Sequence, residues 1–167
     1  METKTAMNFT VDKENKKITV EREYAAPVSE VWAAWTQSNM LDKWWAPKPW
    51  KSETKKMDFN EGGSWIYAMV GPNGEKQWSV ENFKEIVPGK SFSSDDGFSD
   101  ENGNIDSSKP QLHWKNSFNE ENGITTVYID IKFDSQAAVD EILKMGFKEG
   151  FTMGLQNLED LLKSSKN

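Results

Sequence analysis

Glu81 has the clearest chemical potential of any side chain in this 167-residue chain, because it sits among apolar strand positions near Trp78 and Phe83. A carboxyl held there would be desolvated, its pKa would rise, and it would become competent as an acid or base. Strand alternation equally allows it to face solvent, so catalysis stays open without being assigned. His113 is the only histidine and alternates with Leu112 and Trp114. It is expected to point away from the apolar face, which leaves no histidine for a triad or a metal cluster. Asp100, Asn102, Asn104 and Asp106 alternate as in a calcium loop, but Gly103 falls at the fourth place and Gln111 stands where the twelfth-place glutamate belongs. There is no phosphate-cradling glycine loop, no nucleophile elbow and no cysteine. The expectation is no catalytic residue, no metal and no cofactor, with binding favoured over catalysis.

Aromatic residues offer the stronger signal. Eight Trp, nine Phe and three Tyr make up 12% of the chain. Trp65 and Tyr67 share one strand face, and Trp114 and Phe118 share a face of another. Trp78, Phe92, Phe147 and Phe151 are placed to join them, with Gly154 and Leu155 on the helix opposite. Such a set suits either plain core packing or the lining of an apolar cavity for a small hydrophobic molecule. The row Gly146, Gly150 and Gly154 sharpens the choice, since a helical glycine costs about 1 kcal/mol against alanine. Inward glycines mean either close backbone packing or room for a ligand. Trp44, Trp45 and Trp50 lie within seven residues broken by Pro47 and Pro49. They are expected at a cavity mouth, in a protein-partner patch, or in a lid over the sheet edge.

The elements that must hold these residues follow from periodicity. Residues 1–16 read as a polar N-terminal segment, and residues 17–165 as a single domain. Residues 18–24 alternate as a strand, and Ala26-Pro27 opens a helix whose apolar face is Val28, Val31, Trp32 and Trp35. A second short helix over 40–45 ends before Pro47. Period-two strands then follow, punctuated by Gly62-Gly63, Pro72-Asn73-Gly74, Pro88-Gly89 and the hairpin signal Asn122-Gly123. Residues 95–110 read as an acidic loop. Ser135 is a candidate N-cap for a short helix, after which a longer one carries the stripe Phe147, Phe151, Leu155, Leu158 and Leu162. The predicted class is α+β: a curved antiparallel sheet of about six to seven strands wrapped around the long C-terminal helix, with two short helices after the first strand.

Charge and composition narrow the partners. A net charge of −7 argues against nucleic acid. Lys48, Lys51, Lys55 and Lys56 read as the solvated face of an edge strand. No signal-like or membrane-spanning apolar run occurs, so a cytoplasmic monomer or homodimer without membrane contact is expected.

Taken in order, several local motifs resemble one family. They are Ala26-Pro27 with Val31-Trp32, Trp44-Trp45 with Pro47, and Gly62-Gly63-Ser64-Trp65-Ile66-Tyr67. Pro72-Asn73-Gly74, Glu85-Ile86-Val87-Pro88, Thr125 and Gly146-Phe147-Lys148-Glu149-Gly150-Phe151 complete the set over residues 17–163. The chain is similar to the START-like, helix-grip superfamily, and within it to homologues of the heat-shock-protein-90 ATPase activator. The resemblance implies a sheet gripping the last helix over a cavity. It implies three functions in turn: carriage of a small hydrophobic ligand, a stress-response chaperone-cofactor role through a protein partner, or polyketide-cyclase-like chemistry.

Overall fold

Twelve elements follow one another in a computed structural model that describes residues 7–164. They are β1 (Met7–Asp12), β2 (Lys17–Tyr24), α1 (Val28–Thr36), α2 (Ser38–Trp44), β3 (Lys51–Met57) and β4 (Ser64–Val70). Then come β5 (Lys76–Val87), β6 (Ser91–Phe98), β7 (Gln111–Glu121), β8 (Ile124–Lys132), α3 (Gln136–Lys144) and α4 (Phe147–Ser164). All eight strands form one antiparallel sheet in the order β1-β2-β8-β7-β6-β5-β4-β3. Strands β3 to β8 are a meander joined by short connections, apart from the longer loop over 99–110 between β6 and β7. The α1–α2 segment therefore has to carry the chain from β2 across one sheet face to the far edge at β3. That single crossover puts the helices on the same face as the inward aromatics.

Local sequence explains the elements. The β7–β8 turn places Asn122 at φ 53° and Gly123 at φ 80°, the left-handed pair that a two-residue hairpin needs. Ser135 caps α3 by accepting a hydrogen bond from the Ala138 N–H at 3.0 Å. Gly146, at φ +88°, ends α3 and lets α4 start in a new direction. Lys51, Lys55 and Lys56 lie on β3, an outermost strand, where charge deters edge pairing.

Three expectations are corrected. Residues 7–12, read as part of a polar segment, form the edge strand β1 paired to β2, which brings the strands to eight; residues 1–6 lie outside the described part. The second helix begins two residues earlier than its apolar residues suggested, at Ser38. The loop read over 95–110 gives up its first four residues to β6, which runs to Phe98. This last change puts Asp96 on a strand facing the helices.

α4 docks through polar and steric devices as well as its apolar stripe. Leu155 and Leu158 are fully buried, and Leu162 nearly so. A Cβ on Gly154 would stand 3.1 Å from the Trp45 carbonyl oxygen and 3.4 Å from that of Trp44. The glycine is there so that α4 can approach the end of α2. One turn on, the Asn157 side-chain amide donates to the carbonyls of Ala46 (3.1 Å) and Trp44 (3.4 Å), groups that the end of α2 would otherwise leave unmet. On the sheet side, the Arg22 guanidinium of β2 meets Glu159 at 3.3 Å, with 6% and 14% of the two side chains exposed. It also lies 5.0 Å from the centre of the Tyr24 ring.

A buried pair of this kind matters most when one partner is removed. Glu159→Ala is expected to lower the unfolding free energy by about 3 kcal/mol, and Arg22→Met with Glu159→Leu to recover most of that loss. Urea denaturation at neutral pH measures both. A single-variant loss below about 1 kcal/mol, the range of an exposed pair, would rule out a docking role.

Candidate functional site

Between the N-terminal turns of α4 and strands β4 to β7 lies a cavity of about 230 Å³. Its helix side is Phe147, Gly150 and Phe151 from α4, with Ile142 of α3 and the α3–α4 turn at Met145 and Gly146. Its roof is Trp45 and Pro47, just past α2. Its sheet side is Tyr67 and Met69 of β4, Gln77 and Ser79 of β5, Asp96 to Phe98 of β6, and Leu112 and Trp114 of β7. Met145, on the rim, is 47% exposed.

The aromatic walls are mutually braced. Phe147 and Phe151 stack at 5.2 Å, and Phe151 meets Trp114 edge-on at 5.6 Å and Trp45 at 6.0 Å. Tyr67 stacks on Trp65 at 3.9 Å. The indole N–H groups find partners, as buried tryptophans require. Trp45 donates to the Tyr67 hydroxyl oxygen at 3.0 Å, and Trp65 donates to Thr54 Oγ1 at 3.0 Å. Trp114 donates to Asp96 Oδ2 at 3.0 Å.

That last bond reaches the polar floor. Glu81 and Asp96 are direct cross-strand partners on β5 and β6, with both side chains on the helix-bearing face. Glu81 is 8% exposed and accepts a 2.6 Å hydrogen bond from Ser94 Oγ. Asp96 borders the cavity and stays partly accessible through it. Burial pushes the Glu81 carboxyl up to about 7, against which the Ser94 hydroxyl works. Burial also pushes Asp96 well above the usual carboxylate range, and the charge of Glu81 adds to it; the bonds from Trp114 and the Gly97 N–H oppose the rise. Two like acids facing one another away from water retain a proton between them near neutral pH. The Tyr67 hydroxyl is raised too, first by burial and then by the Asp96 charge. An outward-facing Glu81 would have ended the acid–base reading, and Glu81 faces inward.

The structure divides the sequence-derived site residues into groups. Tyr67, Trp114, Phe147 and Phe151 come together at the cavity, with Trp65 directly behind Tyr67. Phe92 and Phe118 belong to a second, closed cluster under α1, where Trp32 meets them edge-on at 5.8 and 5.1 Å. Trp78 is on the opposite sheet face, under Lys55 and Lys76 at 5.9 and 5.8 Å. Gly154 packs against the Trp45 carbonyl, and Leu155 is in the core with its own carbonyl accepting from the Tyr24 hydroxyl at 3.4 Å. Of the tryptophan trio, Trp44 is 1% exposed and donates to the Ala34 carbonyl, Trp45 roofs the cavity, and Trp50 is half-buried away from it. His113 faces outward as expected, its two ring nitrogens at 2.7 Å from Asp95 and 3.0 Å from Asp134. Burial works to lower its pKa, but these carboxylates outweigh it and the net shift is upward.

Asp96 is the functional candidate that sequence reasoning missed. Its signal is the alternation Phe92, Ser94, Asp96, Phe98, a period-two run disguised by two polar inward positions. Asp100, which suggested a calcium loop, accepts hydrogen bonds from Asn102 and Asn104 of its own loop.

Comparisons with known proteins place this geometry in context. The sequence profile of the family described as Activator of Hsp90 ATPase homolog 1-like protein matches residues 25–163. No curated protein matches the chain in sequence. Among solved structures, protein Ms6760 from Mycobacterium smegmatis is similar at 28% identity and a TM-score of 0.85, over 95% of this chain and 98% of that one. A protein from Arthrobacter aurescens is similar at 27% identity and 0.89, over 94% and 91%. One from Staphylococcus epidermidis is similar at 26% and 0.81, over 93% and 94%.

The buried acids carry a pH signature. Both are raised, so the folded protein binds their protons more tightly than the unfolded chain does. The resulting stability is complete below the ordinary carboxylate range and is lost as pH rises through about 7. His113, also raised, acts in the same direction. Stability is expected to fall from about pH 4.5 to about pH 7 with a slope approaching 1.4 kcal/mol per pH unit for each proton released. Glu81→Gln should flatten that slope and His113→Gln should leave most of it. Urea unfolding across this range measures it, and an unchanged slope in Glu81→Gln would refute the buried-acid assignment.

Proposed function

The chain belongs to the Activator of Hsp90 ATPase homolog 1-like family, and from that premise and the cavity we propose that it is a binding module for a small, largely apolar ligand. One observation carries the reading. The described structure leaves about 230 Å³ open beside α4, walled by Trp45, Trp114, Phe147 and Phe151 and floored by Tyr67, Ser79 and Asp96. An apolar enclosure with a few convergent polar groups is the usual form of a small-molecule site. Its size is below the roughly 300–1,000 Å³ of drug-sized pockets and above the ~150 Å³ that holds a single benzene ring. A one- or two-ring molecule fits.

The family's description supports a second reading, a protein-binding role beside a chaperone ATPase. Of the tryptophan trio that this role was expected to use, Trp44 is in the core and Trp45 faces the cavity, so half-buried Trp50 is the member left for a partner patch. The exposed apolar side chains near α4 are Met145 and Met153, at 47% and 43%. No helix of the described residues is long and apolar enough to cross a membrane, so a lipid-embedded role has no support from the helices.

Gly150 provides the test. It borders the cavity, and a Cβ placed on it would make ordinary contact with Pro47 at 3.5 Å. Gly150→Leu should therefore occupy the cavity without disturbing helix docking, and the better helix propensity should keep the melting temperature level or raise it slightly. Saturable binding of 2-naphthalenemethanol, followed by calorimetry, is expected in the native chain and at least tenfold weaker in Gly150→Leu. Non-saturable uptake, or equal affinity in the two proteins, would remove the ligand reading. Stimulation of a heat-shock-protein-90 ATPase that is undiminished in Gly150→Leu would favour the chaperone role.

A further inference from the structure

Asp96, at the floor of the cavity, and Glu81, its cross-strand partner, have no counter-charge among the described residues. Asp96 is the only carboxyl among the residues lining the cavity, and no lysine, arginine or histidine lines it at all. Among the described residues, neither Asp96 nor Glu81 takes part in an ion pair. The ionisable groups that line the site are Tyr67 from β4 and Asp96 from β6, with Glu81 of β5 beside Asp96 across the strands, while β7, α3, α4 and the segment after α2 contribute only neutral side chains. The contrast with Arg22 and Glu159 is direct. Where the fold buries a charge for its own stability it supplies the opposite one, and here it does not. Charged groups are rarely buried without a partner.

The walls point the same way. Trp45, Trp114, Phe147 and Phe151 surround the space above Asp96, and aromatic faces attract cations through their quadrupoles. Of Asp96, Oδ2 accepts from Trp114. An aromatic enclosure with a carboxyl at its base is the chemistry that recognises an organic ammonium.

We propose that the ligand of this cavity is a small aromatic amine, its protonated nitrogen held by Asp96, with Glu81 behind it, and its ring held between the aromatic walls. The inference rests on the cavity being a ligand site and names the class of ligand. Association is non-covalent and its proton balance is explicit. The ammonium takes the place of a proton that these raised carboxyls retain, and that proton passes to solvent. Affinity for the amine therefore rises with pH while the amine itself remains charged.

The test uses three probes of one shape, 2-naphthylmethylamine, 2-naphthalenemethanol and 2-acetylnaphthalene, titrated into the full chain by calorimetry. The amine is expected to bind about tenfold tighter than the alcohol near pH 8, with a smaller preference near pH 6 and with proton release seen in buffers of different ionisation heat. In Asp96→Asn, its fold checked by circular dichroism, the ratio of amine to alcohol affinity should fall close to one. Glu81→Gln should remove the proton release. Equal binding of amine and alcohol, a preference for the ketone (which needs a donor from the acids), or a preference that survives Asp96→Asn would each overturn the inference while leaving the cavity as a ligand site. Failure of all three probes to bind would overturn both.

Discussion

The close approach of α4 to the end of α2 governs the rest of the structure. Gly154 removes the side chain that would meet the Trp45 carbonyl, and Asn157 meets the carbonyls of Trp44 and Ala46 from the next turn. These contacts fix the middle of α4, and Arg22 with Glu159 fixes its later turns to β2. The first turns, at Phe147, Gly150 and Phe151, then have no freedom to settle onto β6 and β7. Close-packed interiors tolerate few voids larger than a water molecule, so a gap of about 230 Å³ persists only where the surrounding elements are held by something else. The cavity is thus a consequence of where the helix is pinned.

Two buried acidic sites, one on α4 and one on the sheet, obey different rules. Glu159 is countered by a guanidinium, so its burial is a matter of architecture. Glu81 and Asp96 are countered only by hydrogen bonds from Ser94, Trp114 and the Gly97 N–H, and they repel one another when both are ionised. A fold gains nothing in stability from such a pair, since a hydrophobic pair of the same volume would pack there without the desolvation cost. Departures from local consistency of this sort concentrate at functional sites. Asp96 of the pair also borders the cavity beside the first turns of α4, so the two anomalies coincide in space.

Much of this was legible in the residues. Period-two alternation located β4 and β8, Asn122-Gly123 fixed the β7–β8 hairpin, Ser135 marked α3, and the Phe147–Leu162 stripe marked the gripped helix, because each depends on local chemistry alone. β1 was not legible: Phe9 and Val11 alternate with Asn8 and Thr10, but an edge strand needs only one partner and shows a weak pattern. Asp96 was hidden for a different reason. A binary pattern reports inward positions only when they are apolar, so a strand with polar groups aimed at a site resembles a loop. The glycine row showed that α4 approaches something closely. It took the crossover from β2 to β3 to make that something the end of α2, and to separate Gly154, which is packed, from Gly150, which borders the cavity. The aromatic set likewise divided by tertiary position, with Phe92 and Phe118 closed over by Trp32 and only the residues near α4 left lining space.

The size of that space decides which of its features can confer specificity. A ligand the size of an aromatic side chain buries on the order of 150–250 Å², worth about 4–6 kcal/mol at 25 cal/mol per Å². Association itself costs at least ~4 kcal/mol in lost translational and rotational freedom. Apolar contact in a cavity this small therefore yields weak and unselective binding, and the walls alone admit any flat ring. Selectivity has to come from the floor, where discrimination follows from leaving a buried polar group paired or unpaired. Tyr67 and Ser79 are mild in this respect, because the tyrosine oxygen already accepts from Trp45 and a hydroxyl can rotate to suit a neighbour. Asp96 is not mild: burial and the Glu81 charge beside it both raise its carboxyl, and no opposite charge among the cavity-lining residues offsets them. On the proposed ligand reading, the shape of the cavity limits how large a ligand can be, and the uncompensated acids favour one that carries positive charge.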